Sequence, residues 1–499
     1  MTRITEIQFK SLPIVQHADR LTAKALDIYA NAVLVVPAKG DGLKSLPHGD
    51  VLAARLKRSD HKLDAAEPLK TVLPNRTGTE ITLAGVAEDI SSFDLLTRAR
   101  RLIAPHAGKD MKLAIAVVGL SPALTTRVLE ALVAAAAARQ PLPSLKSKPG
   151  TKTAIAALHI YGHRCADGYA RTLAEAGGNY LARALTVLPP NTLTPGVYRK
   201  RAMELARRYR WKATFYDVKK LTRLKAGAFL AVAQGSPDPD AGILHLRYTP
   251  ARKSGKKTLS LVGKGICFDT GGTNLKTARH MHGMHEDMEG SAVALGTLLA
   301  LTELKVDFPV DCWLALAQNH IGPKAYRQNE VVTAANGTTI EVVHTDAEGR
   351  MILADTLTLA SRAKPALIID YATLTGACVG ALSTRVSGVF TNRPAFTTKL
   401  IAAGEQSGER VWPFPLYPDF EKALKSDIAD IKQCTLDNDA DHILAATFLK
   451  KFIVGDPGWV HVDLSSGNHK GGLAHIPTDI TGFGVRFTLN LLLDQKIMA

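Results

Sequence analysis

Short apolar runs alternate with longer amphipathic ones along most of this chain. NAVLVVPA (31–38) and KLAIAVVG (112–119) predict buried strands, and ALTTRVLEALVAAAAARQ (123–140) predicts a helix. Ser121 followed by Pro122 marks that helix's start, a cap with proline at the first helical position. GYARTLAEAGGNYLARAL (168–185) predicts another helix, and Pro189, Pro190 and Pro195 forbid its continuation. Further on, TLSLVG, VDCWLALA, TTIEVVH and ALIIDYA predict strands. Helices between them are expected over EDMEGSAVALGTLLALTEL (286–304) and from about Gly349 to Arg362. Such alternation predicts an α/β fold with a mainly parallel central sheet, in which ligands gather beyond the carboxyl ends of the strands.

The length of 499 residues suits two domains rather than one core. The polar stretch PLPSLKSKPGTKT (141–153) reads as a boundary. The expected division is an N-terminal α/β domain over 1–145, a linker and connecting helix over 146–185, and a catalytic domain over 186–499. No apolar run is long enough to span a membrane. The opening MTRITEIQFKSLPIV lacks the apolar core of a secretory signal, so a cytoplasmic location is expected. Five scattered cysteines make neither a disulfide framework nor a zinc ribbon. The net charge of +16 is concentrated: residues 199–257 hold 16 Lys/Arg against 4 Asp/Glu. A solvated amphipathic helix with Met203, Leu205, Ala206 and Tyr209 turned inward accounts for the densest part. A polyanion-binding face, and with it DNA binding, is the alternative, but no nucleic-acid-binding signature accompanies the charge.

Two segments carry candidate chemistry. In GKGICFDTGGTNLKTARHMHGMHEDMEG, Lys264 and Asp269 flank a glycine-rich strand exit, Lys276 follows, and Asp287 precedes a helix. In HTDAEGRM, Asp346, Glu348 and Arg350 crowd a helix start. Any one of these aspartates alone reads as a cap or turn residue. Together they are four carboxylates that would repel and raise one another's pKa unless cations intervene. Oxygen-rich sites hold hard divalent cations, and a pair of them clamps both oxygens of a hydrolysis. His280, His282 and His285 read as surface or pocket-rim residues rather than as a metal cluster.

The joint pattern resembles the leucyl aminopeptidase (cytosol aminopeptidase) family of dinuclear metallopeptidases, whose signature is Asn-Thr-Asp-Ala-Glu-Gly-Arg-Leu. PPNTLTP, GAFLAVAQGS, DYATLTGA, ATFLKKF, WVHVDLS and TGFGVR extend the likeness over roughly 180–490. The resemblance implies an N-terminal domain similar to macro domains and a hexamer acting on peptides. It also implies two divalent metal ions, zinc or manganese, with cobalt or magnesium at the looser position. By position, Lys264, Asp269, Asp287 and Glu348 would hold one metal, and Asp269, Asp346 and Glu348 the other. A water bridging the metals would attack the scissile carbonyl, and Lys276 would donate to the developing oxyanion. Arg350 would hold a bicarbonate serving as base. Met284, Thr373, Leu374 and Gly376 would line the pocket for an apolar, leucine-like N-terminal residue. A dinuclear phosphoesterase fits the carboxylates but not a metal-ligating lysine.

Several positions depart from the family pattern. His344 replaces its asparagine and is expected to donate a hydrogen bond to a nearby carbonyl. Glu289 stands where glycine is usual, Asp441 and His442 interrupt a small-residue run, and Val187 replaces an asparagine.

Overall fold

The computed structural model describes residues 7–106, 111–148, 154–251, 255, 257–437 and 439–498. The chain forms two compact units, one of Met1–Tyr180 with Glu405–Gly408 and Lys470–Asp479, the other of Leu181–Gly404, Glu409–His469 and Ile480–Ala499.

The first unit is built on six strands: β1 (Ile14–His17), β2 (Asn31–Pro37), β3 (Leu69–Val72), β4 (Glu80–Val86), β5 (Met111–Val117) and β6 (Ile155–Tyr161). Their order is β1-β6-β5-β2-β4-β3, parallel except for the edge strand β3. Both faces of the sheet are covered, so strand β2 is apolar from Ala32 to Pro37 instead of alternating. Val33 and Val35 face one core with the helices Ser92–Ile103 and Pro122–Ala137. Ala32, Leu34 and Val36 face the other with the helix Gly49–Ser59. The Ser121 hydroxyl accepts from the Leu124 amide, capping Pro122–Ala137 as its sequence foretells.

The expected linker over 146–185 needs correction. It contains strand β6, which pairs with both β1 and β5, and the chain passes between units at Tyr180–Leu181. The polar stretch before β6 is a surface connection within one unit, and residues 149–153 of it lie outside the described residues. A long polar loop and an interdomain linker share a composition, because both need only be solvated.

His106 is buried in this unit, its ring nitrogens against Asn31 Oδ1 at 2.7 Å and the Thr82 hydroxyl at 3.0 Å. Burial, helped by Lys70, lowers its pKa to about 4. A folded pKa below the unfolded 6.5 means stability that is complete above pH 6.5 and lost as pH falls through 4. The expected loss is roughly 3 kcal/mol over that window. Hydrogen exchange of the β2 and β4 amides at pH 7 and pH 4 measures it, and a His106→Gln variant should lack this component.

The second unit contains the strands β7 (Lys212–Asp217), β8 (Gly242–Tyr248), β9 (Leu259–Asp269), β10 (Val310–Asn319), β11 (Val331–Thr333), β12 (Thr339–Glu341), β13 (Leu367–Ala372), β14 (Ser387–Thr391), β15 (Val411–Pro413), β16 (Ile431–Lys432) and β17 (Gly458–Asp463). Eight of them make one sheet in the order β15-β14-β17-β13-β9-β10-β8-β7. Its centre, β17-β13-β9-β10, is parallel, while β14 and β8 join it antiparallel. The helices Glu289–Glu303 and Glu348–Arg362 cover opposite faces of β9. Gly263 lies so close to the first that a Cβ would stand 2.3 Å from the Ser291 Cα. Val262 and Ile266, pointing the other way, pack in one core with Met351 and Ile352 of the second.

TTIEVVH does not join this sheet. Only Thr339–Glu341 is strand, and it lies between β11 and β16 in a separate three-stranded sheet. Beyond it the Val343 and His344 amides both donate to Gln433 Oε1 at 3.1 Å, so a side chain replaces the ladder.

The helix over the basic stretch is Pro195–Tyr209, capped by Thr194, with Tyr198, Ala202 and Ala206 buried. Met203, expected inward, is exposed, because the buried row is one residue out of phase with it. Arg207, Arg208 and Arg210 face solvent, while Arg199 lies over the Phe215 ring and Lys220 over Tyr216. Among the described residues, no helix is long and apolar enough to cross a membrane.

Candidate metal centre

Strand β9 carries Lys264 in its middle and Asp269 at its carboxyl end. The chain then turns through Gly271 and Gly272, both at positive φ (88° and 62°), a conformation that favours glycine. The turn closes with the Lys276 amide donating to the Thr270 carbonyl, which folds Lys276 back beside Asp269. Asp287 immediately precedes the helix Glu289–Glu303. Asp346 and Glu348 stand at the start of the helix Glu348–Arg362, on the other face of β9. In that first turn Gly349 is needed for space, since a Cβ there would meet the Lys264 Nζ at 2.8 Å.

Lys264 Nζ lies 2.7 Å from Asp287 Oδ1 and 2.8 Å from Glu348 Oε1, and donates to the Thr373 carbonyl at 2.9 Å. Lys276 Nζ pairs with Asp269 Oδ2 at 2.9 Å and with Asp346. Six of the seven sequence-predicted residues of the two segments therefore meet in one cluster, Arg350 being the exception. Side-chain exposure separates the cations, at 4% for Lys264 and 12% for Lys276.

Burial pushes the Asp269 carboxyl far up, and Glu348 and Asp287 push it further against Lys276. Asp287 rises to about 7, because burial outweighs its lysine partner. Burial would raise Glu348 as well, but Lys264 and Lys276 together bring it below the usual range. For Lys264 itself burial acts downward, and Asp287, Glu348 and Asp269 overcome it, so the ammonium is held high. Two ammoniums thus face four carboxylates, more than the lysines could neutralise were all four ionised.

These residues fit divalent cations. Carboxylate oxygens of Asp269, Asp346 and Glu348 come within 4.8 Å of one another. Asp287 Oδ2 is buried without a hydrogen-bond partner among the described residues, an acceptor with open capacity. The donor set is oxygen-rich, as hard cations require.

Several supports were not legible in the motifs. Asn319 donates to Asp269 Oδ1 at 2.8 Å and to the Thr345 carbonyl, which also accepts from the Tyr326 hydroxyl. Asn274 and Thr345 exchange hydrogen bonds of 2.8 Å through backbone amides and side-chain oxygens, tying the loop after β9 to the Asp346 segment. Polar residues in GGTN and near Asn319 were the only available signal. His344 behaves otherwise than expected: its Nδ1 accepts from the Asp346 amide at 3.2 Å. An asparagine carbonyl accepts in this way from an amide two residues on, so the imidazole does the same work.

Of the expected pocket residues, Thr373 is engaged, its hydroxyl donating to Asp287 Oδ1 at 2.8 Å. Leu374 packs partly buried against the core, and its amide donates to Asp463. A Cβ added to Gly376 would meet nothing within 4 Å. Met284 opens a short 3-10 turn ahead of Asp287. His280 and His282 are exposed, His285 is half-buried, and none joins the carboxylates. Arg350 makes no ion pair with the cluster; it is held by Asp441 and the Gln433 carbonyl. Glu289, fully buried, is raised to about 8 by burial and secondarily by Glu286.

Fold and site define an α/β protein with a lysine-bearing acidic centre fitted to divalent cations. The family model for the cytosol aminopeptidase family, catalytic domain, matches residues 180–489. A "Probable cytosol aminopeptidase" of Roseiflexus castenholzii is 41% identical over 331 residues, 66% of this chain and 67% of that one. Another of that name, from Stutzerimonas stutzeri, is 36% identical over 468 residues, covering 89% of this chain and 91% of its own length. One from Chlorobaculum tepidum is 41% identical over 314 residues, which span 61% of its length. The chain belongs to the cytosol aminopeptidase family. Neither the fold nor these relatives supports the nucleic-acid alternative.

Proposed function

We propose that this chain is a metal-dependent aminopeptidase that removes apolar, leucine-like residues from the N-termini of peptides. The observation that carries the reading is the single buried cluster of Lys264, Asp269, Lys276, Asp287, Asp346 and Glu348. Lys264, as the neutral amine that an adjacent cation would enforce by depressing its pKa, would hold one cation together with Asp269, Asp287 and Glu348, and Asp269, Asp346 and Glu348 would hold a second. When bound, divalent cations polarise a carbonyl and make water acidic enough to attack it. Zinc and manganese, with cobalt or magnesium, are the candidates that the family resemblance supports.

The chain's own groups have distinct tasks. The surplus of carboxylates attracts the charged amino terminus of a peptide in preference to an internal segment. Lys264 is sealed in and tied to the Thr373 carbonyl, so it orders Asp287 and Glu348. Lys276 is the more exposed cation and faces the developing oxyanion as a fixed positive charge. The open space at Gly376 leaves room for a substrate side chain. A homohexamer and a cytoplasmic setting belong to this reading on the family resemblance alone.

Metal-stripped protein should not cleave leucine p-nitroanilide or Leu-Gly until zinc, manganese or cobalt is restored. N-acetyl-leucine p-nitroanilide should stay intact throughout. No turnover with any metal or any N-terminal residue would sink the proposal. Lys276→Ala should lower kcat by about 10²–10³ with a small change in KM, as removal of one oxyanion donor does. Steady-state kinetics of the reloaded variant measures it.

A further inference from the structure

Arg350 projects from the first turn of the helix Glu348–Arg362 and is 2% exposed. Its Nη2 donates to Asp441 Oδ1 at 2.7 Å and its Nη1 to the Gln433 carbonyl at 3.1 Å, while Nε has no partner among the described residues. A guanidinium buried this deeply demands an anion, because an uncompensated buried charge is strongly destabilising. Asp441 opens the helix Asp441–Lys450, where a carboxylate suits the positive end of the helix dipole. Its side chain is 18% exposed, so the ion pair has one sealed end and one accessible end.

We infer that the anion Arg350 presents beside the carboxylate–lysine centre is the chain's own Asp441, so that no small oxyanion need be recruited from solution. The expectation of bicarbonate on Arg350 meets a position already charged. A second anion placed there would lie against the Asp441 carboxylate, and like charges at such range repel strongly away from bulk water. Asp441 is thereby a positioning residue: it neutralises Arg350, itself two residues from Glu348 in the sequence, and keeps an anion at one fixed place. Removing it would restore an anion vacancy on Arg350, and a planar oxyanion such as bicarbonate matches a guanidinium in shape and charge. The activity arm of the test rests on the aminopeptidase reading, and the binding arm does not.

The experiment compares wild type, Asp441→Ala and the isosteric Asp441→Asn. Metal-free proteins are unfolded thermally in sodium bicarbonate against sodium chloride at equal ionic strength, with ¹³C-bicarbonate NMR line widths as a second readout. Reloaded enzymes are then assayed in CO₂-free buffer with and without bicarbonate. Wild type should show no bicarbonate-specific shift and less than about twofold activation, whereas the variants should bind bicarbonate with a saturating rise in unfolding midpoint. In CO₂-free buffer the variants should lose about ten- to a hundredfold in turnover, the usual cost of disturbing groups around a metal site, and regain part of it with bicarbonate. Bicarbonate dependence of the wild type, or folded variants indifferent to bicarbonate in both arms, would overturn the inference. A variant-only bicarbonate shift with no turnover in any protein would instead support the inference and overturn the aminopeptidase reading.

Discussion

Glu348→Ala is expected to lower hydrolysis of a leucine amide by about a thousandfold or more, with loss of bound metal. The carboxylate sits 2.8 Å from Lys264 Nζ and, with Asp269 and Asp346, forms the trio whose oxygens lie within 4.8 Å. Lys264 and Lys276 also bring its carboxyl below the usual pKa range. It is therefore ionised where buried Asp269 and Asp287 resist ionisation, and its removal takes that negative charge from the centre. Losing Lewis-acid assistance worth several kcal/mol corresponds to roughly 10³ in rate. Metal content by mass spectrometry and kcat/KM together measure the effect. Full metal occupancy with activity within tenfold of wild type would remove Glu348 from the centre. Lys264 keeps Asp287 as a partner at 2.7 Å, so the variant should remain folded.

Glu289→Gln should stabilise the metal-free protein at alkaline pH. Glu289 lies at the start of the helix Glu289–Glu303, with Oε1 buried and unpartnered among the described residues. Gly467 leaves the space it needs, since a Cβ there would stand 2.2 Å from Oε2. Burial lifts its pKa from 4.5 to about 8. A folded pKa above the unfolded one gives stability that is full below pH 4.5 and lost as pH rises through 8. The accumulated loss is roughly 3 kcal/mol at pH 7 and approaches 5 kcal/mol above pH 8. Asp287 and Asp355, each raised to about 7, add slopes of the same sign, so the informative quantity is the difference between variant and wild type. Urea unfolding at pH 5, 6, 7 and 8 should show the two proteins close at pH 5 and diverging upward, with the glutamine variant the more stable by a few kcal/mol. Parallel curves would mean that Glu289 is ionised and satisfied in the fold.

The sequence by itself determined the elements whose burial is uniform along their length. Strands β9, β10, β13 and β17 are buried almost throughout, and their mostly apolar, non-alternating composition is visible without their neighbours. The helix start at Ser121 was equally visible, since its cap is satisfied by an amide three residues away. The six residues of the cluster could be picked out because two short segments each carry their share at fixed spacing.

Tertiary structure alone decided what those residues touch. Arg350 meets Asp441 91 residues later in the chain, and Asn319 reaches Asp269 across 50. Strand β6 entered the first sheet from a region whose composition reads as linker, and Thr339–Glu341 left the main sheet for a small one. Whether Glu289 faces water or a sealed interior was likewise invisible in its neighbours. Periodicity is a local property, set by which face of one element is covered. Charge pairing and desolvation depend on which distant segments the packed core brings within a few ångströms, and only the folded chain specifies that.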